Sequence, residues 1–409
     1  MRTRQLAGRP IATVGLGDVS LVRSSKRGRD PAEVVRRVHD ALEAALDLID
    51  VAPEPDSERA VGDAVRALRL RDRAIVATRI PELSARDTAN ERLPPRYVIE
   101  RVDASLRATK LDALPLVQLP LRASWVVTSA WPELVGSCAR LVRSGKVLHW
   151  GVRVSETSAD PVPAVPKRPV TIADATALLA QEAERPRSSW ILHPDEAVAA
   201  DPSLAIAVAL TRNAGAPAPL ADGALTHPAM LFLDEPWLAT LAIDVSMCRR
   251  DALALLAAAA GRKPVLAFHP LEGGALAGTL GPGASLAPLD DRRALTPAQL
   301  EAIAVGVAKL ASRVKREPVA ARSCAAARSI VEAEPRPPNL MVTTLAELAL
   351  RYVIDRGAIA MPRIHTRDAL AELVACANAA PLPEPLIAKI DELLADLPDE
   401  PPNESPNES

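Results

Sequence analysis

The stretch Leu48-Ile49-Asp50-Val51-Ala52-Pro53-Glu54-Pro55-Asp56-Ser57-Glu58-Arg59-Ala60-Val61-Gly62 sets the architecture. Its first four residues have the apolar character of a buried strand. Pro53 and Pro55 end that run, because proline brings no amide hydrogen to a sheet ladder. Ser57 stands where a helix N-cap is wanted, and a helix is predicted from 58 to 68. Upstream, Val34, Val35, Val38, Leu42, Ala45 and Leu46 recur three and four apart and predict a helix over 31–47. The same alternation continues outward in both directions. Strands are predicted at 11–16, 74–78, 114–119, 147–152, 241–245, 265–268 and 358–361, and helices at 97–108, 131–144, 251–260 and 344–355. Strand and helix in alternation imply a parallel sheet. About eight strands imply an α/β fold closed as a (β/α)8 TIM barrel, with an open doubly wound sheet as the alternative that periodicity leaves open.

Composition narrows the classes. The chain has 409 residues, 48% of them hydrophobic, against ~250 for a typical barrel of this kind, so there is room for long excursions. The 49 basic and 51 acidic residues nearly cancel, which argues against a nucleic-acid partner. No long uncharged apolar run is present, so no membrane span is expected. The basic N-terminus lacks a following apolar segment and does not read as a secretory signal. Cys138, Cys248, Cys324 and Cys376 form no close pair, and the histidines show no ligand spacing. A metal site is therefore not expected, and a reduced, cytoplasmic protein is. Prolines gather in 161–170, 186–236, 334–338 and the last 20 residues, which read as loops. Residues 396–409, with a tandem Pro-Asn-Glu-Ser, are expected to be a disordered acidic tail.

Several short runs, in order, resemble the aldo-keto reductases. Ile49-Asp50-Val51-Ala52 with Ser57-Glu58 and Val61-Gly62 is similar to that family's Asp-Thr-Ala…Ser-Glu…Gly signature. Ile75-Val76-Ala77-Thr78-Arg79 resembles its strand ending in Thr-Lys. Ser105-Leu106, Asp112 and Gln118-Leu119 resemble the strand that ends in Gln-Leu-His. Trp131-Pro132-Glu133-Leu134, Ser144-Gly145-Lys146-Val147 and Trp150-Gly151-Val152 resemble the next helix and strand. Pro270-Leu271-Glu272-Gly273-Gly274-Ala275-Leu276 resembles the Pro-Leu…Gly…Leu loop, and Leu348-Ala349-Leu350-Arg351-Tyr352 with Met361-Pro362 the last barrel turn. The resemblance covers 1–155 and 238–395. It implies one barrel over 1–395, an NADPH-dependent carbonyl reductase, and a site at the C-terminal barrel face.

That chemistry needs a hydride donor and an acid for the carbonyl oxygen. The resemblance implies a Tyr acid tuned by Lys and Asp, with a His orienting the substrate. Carried over by motif, Asp50 holds the Asp position and Arg79 the Lys position. The Tyr position falls at Pro55 and the His position at Pro120. Arginine stays charged and does not exchange a proton, and the Pro120 side chain neither donates nor accepts. Tyr97 is expected at the far end of its unit and Tyr352 on an apolar helix face, so neither replaces the acid.

On the cofactor side, Arg153-Val154 stand where the family places Ser-Asn, and Ala242 and Val245 where it places Gln and a stacking Tyr. Leu271, Gly274 and Leu276 keep the loop, whose amides can approach a pyrophosphate, or which is simply a tight turn. Arg363, His365 and Thr366, with Arg367 nearby, stand where the family grips the adenosine phosphate, or open a solvated helix. NADPH is the one cofactor these residues suggest.

Residues 155–237 exceed a normal strand-to-helix connection. They carry helix-like pieces at 172–183 and 194–210 and a short strand-like run at 190–192. An insertion there emerges over the C-terminal face as a lid, plug or docking surface. A second insertion is expected at 313–341. A protein partner would be met by 155–237 or by the tail. The leading expectation is a pseudoenzyme, a barrel reused for binding, regulation or assembly. The alternatives are an NADPH-dependent oxidoreductase with an atypical site, and a non-redox enzyme using Asp50, Arg79 and His269, with Glu54 and Asp56 beside them at the barrel mouth.

Overall fold

The computed structural model describes residues 1–21, 31–69, 73–83, 93–128, 130–154, 227–249, 252–277, 344–364 and 366–394. The chain opens with a hairpin, β1 (Thr3–Leu6) and β2 (Arg9–Ala12). Its turn residues Ala7 and Gly8 both take positive φ, +51° and +76°, as a two-residue hairpin turn of the primed type requires. The barrel follows: β3 (Leu16–Val19), α1 (Pro31–Glu43), β4 (Leu48–Val51), α2 (Pro55–Ala67), β5 (Ile75–Arg79), α3 (Pro95–Thr109), β6 (Leu114–Pro120), α4 (Trp131–Arg143), β7 (Val147–Arg153), β8 (Leu238–Asp244), α5 (Ala252–Ala259), β9 (Val265–Phe268), α6 (Leu345–Asp355) and β10 (Ile359–Met361). Two helices close the described chain, α7 (Arg367–Asn378) and α8 (Glu384–Leu393).

The eight strands β3 to β10 lie side by side in chain order, all parallel. The first strand meets the last. Val14 bridges Ala360, Gly15 N–H donates to the Ala360 carbonyl at 2.9 Å, and Gly17 N–H to the Pro362 carbonyl at 2.9 Å. The sheet is thus a (β/α)8 barrel, and the open-sheet alternative is set aside.

Alternation along each strand sorts the side chains. Leu48, Ile75, Leu116, Leu266 and Ile359 point inward and pack with Leu6 and Ile11 of the hairpin, which stops the N-terminal end of the barrel. The outward faces and the helices build two further cores. One includes Trp125, Trp131, Trp150, Phe232 and Tyr352 with residues of β6 to β9 and α3 to α6. The other joins α1, α2 and α7 to β3, β4 and β5 and is aliphatic throughout. Where α2 crosses α3 there is no room for a side chain: a Cβ on Gly62 would lie 2.1 Å from the Thr109 carbonyl oxygen.

Several elements differ from the sequence reading. The run at 11–16 divides between β2 and β3, because the hairpin takes its first part. Ser57 is not a cap. It lies inside α2, buried, accepting from Leu21 N–H at 2.9 Å and donating to Glu54 at 2.6 Å. The helix starts at Pro55, whose ring suits a first turn in which the amide has no partner. The hairpin and α8 were not predicted, and α7 is the helix that the alternative reading of Thr366 opens. Of the insertion at 155–237, residues 227–237 are described, and Ala229, Met230, Phe232 and Leu233 pack into the aromatic core. The rest of it, the segment at 313–341 and the tail lie outside the described residues. Among the described residues no helix is long and apolar enough to cross a membrane.

Candidate functional site

Asp50 ends the inward row of β4 and is fully buried at the C-terminal end of the barrel. Arg79 ends the inward row of β5, with a nitrogen 3.6 Å from Asp50 Oδ2. The sequence reading brought these two together, and the structure does too. It missed the residue that organises them. The β3–β4 register shifts between Leu16 and Val19, and Asp18 in that shift takes φ +49°. A bulge of this kind re-aims a side chain. The Asp18 carboxylate pairs through one oxygen with Arg79 and through the other with Arg363. Its amide donates to Asp50 Oδ2 at 3.1 Å. Asp18, Asp50, Arg79 and Arg363 are thus one buried cluster.

A second cluster faces it. Arg153, last residue of β7, donates to Asp244 Oδ1 at 2.8 Å. His269 Nδ1 lies 3.1 Å from Asp244 Oδ2. Between the clusters lies Phe268, with the Arg153 guanidinium 4.2 Å and the Arg79 guanidinium 5.9 Å from its ring centroid. These are cation–π distances. Below the arginines the barrel stays polar. The inward side chains of Gln118 and Thr240 flank Gly151, and none of their polar atoms has a protein partner.

The carboxylates titrate in opposite senses. Burial pushes the Asp50 carboxyl up from an ordinary 3.8 to about 6, against the opposing pull of Arg79. For Asp244 burial also acts upward, but the His269 hydrogen bond and the charge of Arg153 overcome it and hold the acid well below the usual range. Burial acts to lower the Arg79 guanidinium, but Asp50 and Asp18 outweigh it and raise it. Folded Asp50 therefore favours the native state at low pH and disfavours it as pH rises from about 4 through about 6. Asp50→Asn removes this dependence. Relative to the native protein, the variant is expected to gain about 2 kcal/mol between about pH 4.5 and about pH 7.5. Urea melts at both values measure it. A difference that did not change with pH would mean the carboxyl is ionised throughout.

The other predicted residues are placed as follows. Pro55 opens α2, and Pro120 ends β6 in register with Arg153. Glu54 is bound by Ser20 at 2.7 Å and Ser57, and exposed Asp56 pairs with Arg59 at 2.9 Å, so neither joins Asp50. Glu58 is also structural: Thr78 donates to it at 2.7 Å. Burial raises its carboxyl, and hydrogen bonds from Ser105 and Thr78 oppose the shift. Tyr97, expected at the far end of its unit, instead donates its hydroxyl to the Pro81 carbonyl at 3.2 Å, just past β5 on the C-terminal side. It packs against the outer core, not in the mouth. Tyr352 is buried and bonds to Asp391. Both tyrosines are engaged away from Asp50 and Arg79.

The residues suggested for NADPH are occupied by the protein itself. The amides of Gly274 and Leu276 both donate to the Leu271 carbonyl, at 2.9 and 3.1 Å, within a tight 3-10 turn over Glu272–Ala277. Arg363 is held by Asp18 and Arg367 by Asp40. Thr366 caps α7 by accepting from Ala369 N–H at 3.1 Å. His365 lies outside the described residues. Among the described residues, each of these groups is engaged within the protein. Among the described residues no set of His, Cys, Asp and Glu could hold a metal ion.

Comparison with known proteins agrees with this architecture. Residues 13–175 match the model of the Aldo/keto reductase family. No curated protein sequence matches the chain. Among solved structures, a glycerol dehydrogenase from Gluconobacter oxydans is 18% identical, with 98% of this chain and 97% of that one covered and a TM-score of 0.59. An aldo-keto reductase from Bacillus halodurans in its holo form is 16% identical, with 96% of each chain covered and a TM-score of 0.54. An aldo-keto reductase from Klebsiella pneumoniae in complex with NADPH is 15% identical, with 96% of each covered and a TM-score of 0.51. The chain resembles the aldo-keto reductases over the matched segment, and its barrel is theirs in fold.

Proposed function

We propose that this is an aldo-keto-reductase-like barrel whose mouth binds a small molecule in a binding or regulatory role, without tyrosine-dependent carbonyl reduction. One observation carries the reading. The residues at the Asp and Lys positions, Asp50 and Arg79, are tied with Asp18 and Arg363 into one charge cluster. Among the described residues no tyrosine or histidine side chain stands beside them. Arg79 cannot pass a proton onward, so the cluster supports structure and charge rather than acid catalysis. Calorimetric titration of the purified protein with NADPH is expected to show no binding up to about millimolar nucleotide, an affinity weaker than about −4 kcal/mol.

The second reading is an NADPH-dependent oxidoreductase with an atypical acid. It is favoured by the retained Asp50 beside a cation and by the fold shared with enzymes such as the NADPH-bound Klebsiella protein. Micromolar NADPH binding, with aldehyde-dependent NADPH oxidation lost in Asp50→Ala, would establish it in place of the first.

A further inference from the structure

The second cluster contains an arrangement that the reductase resemblance does not account for. His269 is the first residue after β9, in the left-handed region at φ +49°. A residue with a Cβ is uncommon there and carries a conformational cost. The turn fixes it: Glu272 N–H donates to the His269 carbonyl at 2.9 Å. Buried Glu272 is in turn held by Ser246 Oγ at 3.1 Å and Arg249 Nε at 2.5 Å. The backbone is thus braced to present this side chain, which is 43% exposed, at the barrel mouth.

The imidazole is also oriented. Its Nδ1 faces Asp244 Oδ2 at 3.1 Å, and Asp244 Oδ1 is fixed by Arg153 at 2.8 Å. A carboxylate on Nδ1 selects the tautomer whose Nε2 lone pair faces outward, and stabilises the imidazolium when Nε2 takes a proton. Arg153 Nη1 is buried and has no protein partner. The guanidinium beside the dyad is therefore a donor for an oxygen that becomes negative in the reaction. Base, orienting acid and oxyanion donor stand within one cluster, on ends of β7, β8 and β9, at the face where barrels of this type work.

We infer that His269, oriented by Asp244, is the general base of a non-redox proton-transfer site for small carbonyl compounds with an acidic C–H beside the carbonyl, with Arg153 binding the developing enolate. The inference extends the reading of the mouth as a small-molecule site and needs no nucleotide. In the step, His269 Nε2 takes a proton from the carbon next to the carbonyl. The C–H electron pair forms the C=C bond of the enolate, and the carbonyl π pair moves to the oxygen facing Arg153. Return of a proton from Nε2 to the same carbon restores the ketone, so nothing is oxidised or reduced. Asp244 is a positioning residue.

The test is deuterium entry into the methyl group of pyruvate in D2O, followed by proton NMR with the full chain. The expected result is an exchange rate proportional to protein concentration, falling about a hundredfold in His269→Ala. Added imidazole restores part of it in that variant. Asp244→Asn keeps the shape but favours the wrong tautomer, and is expected to lower the rate at saturating pyruvate with little change in half-saturation. Arg153→Leu raises the half-saturation concentration as well. Exchange no faster than buffer, or equal in His269→Ala, would overturn the inference. Adding NADPH to the same sample separates the two proposals. Reduction of pyruvate to the hydroxy acid would defeat the binding-barrel reading while the exchange data judged the His269 site.

Discussion

Gly17→Ala is expected to lower stability by about 3 kcal/mol or more, the upper end for forcing atoms into a packed site. A Cβ on Gly17 would sit 2.1 Å from the Met361 carbonyl oxygen and 2.7 Å from its carbon. Both are backbone atoms of β10, so no side chain can swing away. The clash falls on the seam where the first and last strands meet, and the Gly17 N–H···Pro362 hydrogen bond belongs to that seam. For a chain of this size the loss corresponds to a fall in Tm of roughly 4 °C. Gly136 is the matched control. It lies in α4, and a Cβ there meets nothing within 4 Å. Gly136→Ala is expected to stabilise by about 0.5–1 kcal/mol through helix propensity. If both variants melted alike, the barrel would not be closed at this seam.

Asp18→Asn is the second large effect. Asparagine tolerates the positive φ as aspartate does, so the substitution isolates charge. It removes the carboxylate charge that Arg363 and Arg79 share, in a site where the Asp18 side chain is 9% exposed. Removing one member of a buried charge group costs about 3–5 kcal/mol, because the remaining charges stay desolvated. Asp18→Asn is therefore expected to unfold in urea at markedly lower concentration, with an unchanged slope. A loss below about 0.5 kcal/mol would mean that the cluster is solvated like a surface pair.

The barrel was legible because its signals are periodic. Strand β9 follows an unbroken apolar run, β4 and β6 follow apolar runs interrupted by Asp50 and by Pro115 and Gln118, and α1 follows a three-and-four spacing that burial of one face requires. Asp50 and Arg79 were legible as motif ends. Asp18 was not, since nothing in Gly15-Leu16-Gly17-Asp18 announces that a register shift turns the aspartate inward. Its one signal was an Asp after glycine in a short strand, a residue type that visits positive φ. Asp244 was hidden inside a predicted strand. Only the alternation Thr240, Ala242, Asp244 marks it as facing the interior. His269 follows β9 beside Asp244 and not beside Asp50 and Arg79, because strand-end proximity around a barrel depends on register. The hairpin was missed because Ala7-Gly8 is a weak turn signal beside the Asn-Gly type.

The division of the outer core has an optical consequence. Among the described residues, Trp125, Trp131, Trp150, Trp237 and both tyrosines belong to, or pack on, the core around β6 to β9. The core that joins α1, α2 and α7 to β3 and β4 contains no aromatic ring. Emission from these tryptophans therefore reports on one half of the barrel. The seam at Gly17 belongs to the silent half. A fluorescence melt can look native while that side has already opened, whereas far-ultraviolet circular dichroism records the lost helices. A gap between the two curves in Gly17→Ala would locate where the barrel first gives way.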